Sequence, residues 1–218
     1  MQAAQFQDLF ICRKSSLLYY LTDEEENNHG WVGGNAPACF DDKRGMVNDP
    51  GCPYHFYLTI ANPVNDKMLS VFIPNFDIYN SQRVYPDCAI KVFEHEVSPE
   101  SQLHLYELFE DEPQEKKTKY QQDFDYSKPT IHKTYLSAGG TEKPFFQIGG
   151  RPNLIQSEEY YYAELQKNGY GFFGSADEDA YLDGMIHGND PFCYGAVYFY
   201  AKFDDDSRGV IAGFWQNS

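Results

Sequence analysis

The chain has 218 residues, of which 42% are hydrophobic and 17% aromatic, and its 33 acidic and 17 basic residues give a formal net charge of −16. Nucleic acids and anionic membrane surfaces are bound through basic faces, so this charge argues against both kinds of partner. A basic protein is the natural complement, and the alternative is that the acidity serves solubility alone. The 18 Tyr and 17 Phe residues favour strands over a helical bundle.

The cysteines and the N-terminus bear on the compartment. No run approaches the roughly 18 apolar residues that a membrane span requires, and the N-terminus lacks the basic start and apolar core of a cleaved signal. Cys193 lies between two aromatic residues, which predicts a buried, inert thiol. The cysteines are odd in number and form no close pair, so we expect reduced thiols in a cytoplasmic protein; they are Cys12, Cys39, Cys52, Cys88 and Cys193.

The first half of the chain is rich in strand patterns. Apolar positions over residues 2–21 fit a helix in part, the alternative being two short strands broken near Arg13. Residues 54–60 and 68–73 are aromatic and β-branched runs separated by a turn, and they predict a hairpin. Residues 89–97 alternate strictly between apolar and polar, which predicts a third, half-buried strand.

The second half repeats this order after a polar stretch. Residues 106–128 are the least apolar part of the chain and are predicted to connect the halves. Residues 158–165 predict a short helix, with Ser157 as its candidate cap. Residues 170–176 then take the place of the first aromatic strand, and residues 196–201 take the place of its hairpin partner.

Each half also contains a pair of adjacent glycines, Gly33-Gly34 and Gly149-Gly150, and the pairs are 116 residues apart. Glycine accepts positive φ, so such a pair permits a bulge or a close backbone approach. A phosphate-binding loop is the alternative, but the further glycine and the Lys-Ser/Thr ending are missing. We therefore predict one mainly β (α+β) domain with a few short helices and pseudo-duplicated halves, about 1–105 and 129–218.

The second glycine pair carries a resemblance to a known family. Gly149-Gly150-Arg151-Pro152 with Gln156, then Ile186-His187-Gly188-Asn189 and a terminal Phe214-Trp215-Gln216, resembles the YwqG-like family. The similarity is clearest over 145–217 and weakens over 31–97. Family members usually have a Trp-Gly-Asp-like step where this chain has His187-Gly188-Asn189, so a family site that used that acid is absent here. The motif positions are Gly33, Gly34, Gly149, Gly150, Pro152, Gln156, His187, Gly188 and Asn189.

The resemblance implies a β-rich fold and, for the function, little more. The family is a domain of unknown function, and some members are encoded beside toxins and regarded as immunity proteins. Such a role suits an acidic, non-catalytic chain, since many toxins that cut nucleic acids are basic.

The sequence shows no catalytic or metal-binding motif that would point elsewhere. There is no Gly-x-Ser-x-Gly motif. In Glu94-His95-Glu96, strand neighbours point to opposite faces, so the three side chains do not converge on one ion. The consecutive acids Asp204-Asp205-Asp206 lack the alternating spacing of a calcium loop. We predict no cofactor and no metal.

These observations favour an immunity protein that binds a toxin and covers its active or substrate-binding surface. The alternatives are a ligand- or peptide-binding module, with its site between the halves, and a hydrolase of an uncharacterised type. The acidic cluster before the first glycine pair and the acidic clusters towards the end of the chain are the candidate partner-binding residues; they are Glu24, Glu25, Glu26, Asp177, Glu178, Asp179, Asp183, Asp204, Asp205 and Asp206.

Overall fold

A computed structural model describes residues 1–74, 76–79, 81–106, 130–140, 142–187, 190–203 and 209–218. The structure is mainly β, and within the described residues no helix is long and apolar enough to cross a membrane. The strands are β1 (Leu17–Thr22), β2 (Gly30–Val32), β3 (Tyr54–Ala61), β4 (Met68–Pro74), β5 (Lys91–His95), β6 (Thr130–Ile131), β7 (Thr134–Ser137), β8 (Phe146–Ile148), β9 (Gly171–Asp177), β10 (Ile186–His187), β11 (Ala196–Ala201) and β12 (Ile211–Gln216).

Short helices connect these strands. Alpha-helical turns are α1 (Ala3–Phe6), α2 (Arg44–Val47), α3 (Phe76–Tyr79) and α4 (Ala163–Lys167). A π-helical turn spans Gln7–Ile11, and 3-10 turns span Ala38–Phe40, Glu159–Tyr161 and Glu178–Ala180.

Ten strands form one antiparallel sheet in the order β12-β11-β9-β8-β1-β7-β2-β3-β4-β5, and β6 pairs with β10 in a separate ladder. The two end strands of the large sheet, β5 and β12, lie close to each other, so the sheet is nearly closed. The free side of β12 is also covered: Trp215 N–H donates to the carbonyl of Arg83 at 3.1 Å, and Tyr85 N–H donates to that of Gly213 at 2.7 Å.

The two halves of the sheet have the same strand order and the same register. The series β2-β3-β4-β5 corresponds to β8-β9-β11-β12. Gly30 pairs with Ile60 in the first half, and Phe146 pairs with Ala176 in the second, so both members are shifted by 116 residues. The following ladders also agree, because the β3–β4 ladder skips Tyr57 and the β9–β11 ladder skips the residue 116 positions later, Phe173.

The first strand of each half pairs across the molecule. β1 pairs with β8 of the second half, and β7 pairs with β2 of the first half. The two first strands also pair with each other, with Tyr20 opposite Ser137. The sheet is therefore continuous because the halves exchange these strands, and neither half forms it alone.

Both faces of the central hairpin strands are buried, which explains their uninterrupted apolar sequences. In β4, Leu69 and Val71 face the largest core cluster, whereas Phe72 packs in a second cluster. In β11, Phe199 faces that same largest cluster and Tyr198 packs in a third. This alternation follows from the two-residue period of a strand.

Several sequence expectations need correction. Residues 2–21 combine both alternatives, because α1 and the π-helical turn precede β1. The helix predicted over 158–165 is a 3-10 turn followed by α4, and Ser157 does not cap it, since the N-terminal position of the turn is Glu158 without a side-chain hydrogen bond. Cys193 is exposed rather than buried and has a φ of +54°. The predicted connector lies outside the described residues except for Tyr106.

Candidate functional site

The predicted partner-binding acids lie in separate loops. Glu24, Glu25 and Glu26 are exposed between β1 and β2, and Asp179 and Asp183 are exposed after β9. Among the described residues, the ion pairs include none of the three glutamates and not Asp183. These carboxylates therefore present uncompensated negative charge on the surface.

The acids at the end of β9 are partly neutralised within the chain. Lys143 Nζ lies 2.9 Å from an Asp177 carboxylate oxygen and 3.1 Å from one of Asp179. Asp177 is half-buried, and it accepts a hydrogen bond from the backbone N–H of Asp179 at 3.0 Å. The remaining acids of the predicted set, Asp204, Asp205 and Asp206, lie outside the described residues.

Glu178 does not belong to this surface, because only 2% of it is exposed. Its carboxylate accepts the backbone N–H of Phe192 at 2.9 and 3.0 Å and that of Gly195 at 3.1 Å. Burial raises the pKa of Glu178 to about 8, although these N–H donors act in the opposite direction. Its carboxylate fixes the loop before β11 and is not available to a partner.

Asn62 has the corresponding role in the first half. It precedes Glu178 by 116 residues, follows β3 directly as Glu178 follows β9, and is 4% exposed. Its side-chain oxygen accepts the N–H of Val64 at 3.0 Å, and its amide nitrogen donates to Glu94 at 3.1 Å. A buried polar side chain thus holds the loop after β3 in one half and the loop after β9 in the other, which is a structural role.

The glycine pairs have a structural role in the duplicated sheet, which depends on their backbone conformation. Gly33 and Gly34 have φ values of +67° and +66°, and Gly149 and Gly150 have values of +74° and +69°. Each of the four N–H groups donates to a backbone carbonyl, so none is free to bind a phosphate. The accepting residues are, in order, Tyr57, Ile131, Phe173 and Leu9.

The segment after the second glycine pair is fixed to the last strand. Gln216 Oε1 accepts the N–H groups of Ile155 and Gln156, both at 3.1 Å, and its Nε2 donates to the Gln156 carbonyl at 2.8 Å. The hydroxyl of Tyr198 donates to the Asn153 carbonyl at 2.9 Å and accepts the Ile155 N–H at 3.1 Å. These backbone N–H and carbonyl groups therefore have partners within the chain and are not available to a ligand.

The other motif residues of the second half support the same segment. Pro152 is half-buried in it, and Gln156 Nε2 donates to the Asn217 carbonyl at 3.0 Å while its oxygen accepts the hydroxyl of Tyr161. His187 pairs through its backbone with Thr130. The side chain of His187 lies outside the described part of the chain, as do Gly188 and Asn189.

The equivalent position of the first half contains a thiol and an imidazole. Cys39 precedes Ile155 by 116 residues, and its Sγ lies 3.4 Å from Nδ1 of His95. His95 Nε2 lies 2.7 Å from the hydroxyl of Ser70, which pairs within the sheet as Tyr198 does in the other half. Sequence reasoning missed this pair; the 116-residue offset relates Cys39 to Ile155, but it does not relate His95 to its counterpart Gln216.

The surroundings of this pair limit its chemistry. Cys39 is half-buried, and its backbone N–H donates to the hydroxyl of Ser98 at 3.1 Å. Burial raises the pKa of the Cys39 thiol and lowers the pKa of His95. Within the described residues, no group of three or more His, Cys, Asp or Glu side chains could hold a metal ion. The chemistry available to the pair is therefore that of a thiol beside an imidazole.

No family model, curated protein or solved structure matches the chain. The resemblance to the YwqG-like family therefore stays a prediction.

Proposed function

We propose that the chain binds a basic protein through its acidic surface and neutralises it, acting as an immunity protein in the cytoplasm. The partner in this proposal is a toxin, as the YwqG-like resemblance implies. The observation that carries the proposal is the exposed run Glu24-Glu25-Glu26, which has no ion pair in the described structure of a chain with a net charge of −16. A single-signed surface of this kind steers an oppositely charged partner and speeds association.

One cavity between the halves is too small for a metabolite. This cavity is lined by residues of both halves and has a volume of about 10 Å³. That volume accommodates about one water molecule, which is too little for a metabolite. The lining residues are Asn62, Val64, Phe173, Ala201 and Phe203.

Inhibition in this proposal results from steric cover. The acids provide the encounter and its orientation, while buried apolar contacts around them provide most of the affinity. Because long-range attraction between exposed charges is screened by salt, the association rate should fall as ionic strength rises.

Co-expression tests the proposal. The chain is produced together with the product of its neighbouring gene, and survival is scored with and without the chain. We expect the neighbour to be toxic alone, survival when the chain is present, and co-purification of a basic neighbour at low salt. A variant with Glu24→Lys, Glu25→Lys and Glu26→Lys should lose rescue.

A matched variant separates this surface from general acidity. Glu158→Lys with Glu159→Lys reverses two exposed acids of the other half, and we expect it to keep rescue. The proposal fails if the neighbouring product is harmless, or if both charge-reversed variants protect as well as the unaltered chain.

A further inference from the structure

The hydrogen bonds around His95 specify where its protons are. Ser70 donates its hydroxyl proton to the Thr59 hydroxyl at 3.0 Å, so towards His95 Nε2 at 2.7 Å it acts as an acceptor. The Glu96 carbonyl lies 2.7 Å from His95 Nδ1 and is an acceptor only. With the Ser70 hydroxyl turned towards Thr59, protons on both ring nitrogens satisfy these contacts.

A doubly protonated His95 is a cation, and the Sγ of Cys39 lies 3.4 Å from its Nδ1. A state that satisfies these contacts is an imidazolium beside a thiolate. The positive charge of Lys43 lowers the pKa of both groups, which favours the thiolate and disfavours the imidazolium, whereas Glu94 and Glu96 raise the pKa of His95. Burial acts against both charges, so the balance between contacts and desolvation fixes the thiolate fraction.

The other described cysteines lack this arrangement. Cys12 and Cys193 are exposed, Cys52 is buried, and burial raises the pKa of Cys88 to about 12. In the second half, the position of Cys39 is occupied by Ile155, and that of His95 by Gln216. The thiol–imidazole pair is thus a feature of one half that the shared fold does not require.

We propose that Cys39 is a site of reversible mixed-disulfide formation with low-molecular-weight disulfides, and that His95 activates it. The Cys39 sulfur attacks one sulfur of a disulfide R–S–S–R′, the S–S bond breaks, and a new bond joins Sγ to the R–S sulfur. The leaving thiolate R′–S⁻ takes the Nδ1 proton of His95 and departs as R′–SH. The protein thiol is oxidised and the disulfide is reduced, so no other oxidant is required.

The modification stands apart from partner binding. It requires only the folded chain and a disulfide, and none of the exposed glutamates takes part. Because thiol–disulfide exchange is reversible, an excess of small thiol restores Cys39.

The folded full chain is incubated with 2-hydroxyethyl disulfide, a small neutral probe, at pH 6 and pH 8. Acid quenching followed by peptide mass spectrometry gives a rate for each cysteine. At pH 6 an ordinary thiol is only about 0.3% ionised, so we expect Cys39 to react about tenfold faster than Cys12 and Cys193. Equal rates for the three cysteines at pH 6 would overturn the proposal.

His95→Gln places at this position the residue found in the other half. We expect it to lower the Cys39 rate at pH 6 about tenfold, while the rates of Cys12 and Cys193 stay unchanged and the buried Cys52 stays unreactive, which reports an intact fold. His29→Gln, which removes another half-buried imidazole of the first half, should leave the Cys39 rate unchanged.

Ser70→Ala provides a second variant that leaves the imidazole in place. It removes the acceptor of the Nε2 proton, so the imidazolium is less favourable and the Cys39 rate at pH 6 should fall several-fold. Unchanged Cys39 rates in folded His95→Gln or Ser70→Ala protein would show that the imidazole does not activate the thiol.

Discussion

Gln216 and His95 occupy equivalent positions at the ends of the last strands of the two halves. Gln216 pairs with Ala196, the first residue of β11, and His95 pairs with Met68, the first residue of β4. Gln216 uses its side chain to hold backbone groups, whereas His95 contacts the thiol of Cys39. The same position of the duplicated sheet therefore has a side chain that holds backbone groups in one half and an imidazole beside a thiol in the other.

Gln216→Ala should destabilise the second half strongly. The substitution removes the partners of the Gln156 N–H and carbonyl at 3.1 and 2.8 Å, whereas the Ile155 N–H keeps the Tyr198 hydroxyl. We expect a loss of about 2–4 kcal/mol in the free energy of unfolding, measured by urea denaturation. Asn153→Ala, an exposed side chain in the same segment, should change it by less than about 0.5 kcal/mol.

Gly33→Ala should be more costly than an alanine at an open glycine with the same backbone angle. A Cβ at Gly33 would lie 2.5 Å from the Ile131 carbonyl oxygen, whereas a Cβ at Gly184 would meet nothing within 4 Å; their φ values are +67° and +77°. We expect Gly184→Ala to cost about 1 kcal/mol from positive φ alone, and Gly33→Ala to cost about 3 kcal/mol. Similar losses in the two variants, measured by thermal unfolding, would contradict this account.

The buried Glu178 should make stability depend on pH. Burial raises its folded pKa from an ordinary value of 4.5 to about 8, so the folded state retains a proton that the unfolded state loses. Its contribution is fully present below pH 4.5 and is lost as pH rises through 8. We expect the unfolding free energy of the unaltered chain to fall, relative to Glu178→Gln, by about 2 kcal/mol between pH 5 and pH 7.

Urea denaturation of both proteins across that pH range measures the difference directly. Glu159→Gln, an exposed glutamate, serves as the control and should follow the unaltered chain at every pH. A constant difference between the unaltered chain and Glu178→Gln would mean that the carboxyl group has the same pKa in both states.

Lys143→Met should have little effect on stability. Lys143 is exposed, and so is Asp179, one of the two carboxylates that it contacts. Exposed ion pairs contribute little because water already solvates both charges, so we expect a change below about 1 kcal/mol. A loss of several kcal/mol in a thermal melt would show that Asp177 depends on this lysine for its position.

The aromatic hairpins could be predicted from the sequence because each strand is a short, continuous run of residues that favour strands. Residues 54–60 and 68–73 are rich in aromatic and β-branched side chains, and they form β3 and β4 as predicted. The second hairpin was located in the same way: β11 matches the predicted run 196–201, and β9 is shifted by one residue from the predicted run 170–176. β5 is shorter than predicted, since it ends at His95.

The exchanged strands could not be predicted in this way. β1 and β7 are short, and each pairs with strands of the other half. Their sequences therefore give no local hairpin signal, since the partners that bury them lie far away along the chain.

The roles of the residues in the candidate site could not be predicted from the sequence for a related reason. Glu178 stands between two aspartates and has the sequence context of a solvated turn, yet it is buried because the loop before β11 folds back onto it. Cys39 and His95 are 56 residues apart and belong to no common motif. Their approach depends on how the segment after the first glycine pair packs against β5.

The exchange of first strands sets the order of events during synthesis. β1 leaves the ribosome well before β7 and β8, the strands that pair with it, since Thr22 is 113 residues from its partner Tyr135 and Leu17 is 131 residues from its partner Ile148. Its apolar side chains remain without their final neighbours through most of translation, and contacts of such large sequence separation form slowly. A nascent chain of this protein therefore carries an unpaired strand until β7 and β8 have been made, which makes it a natural substrate for chaperones.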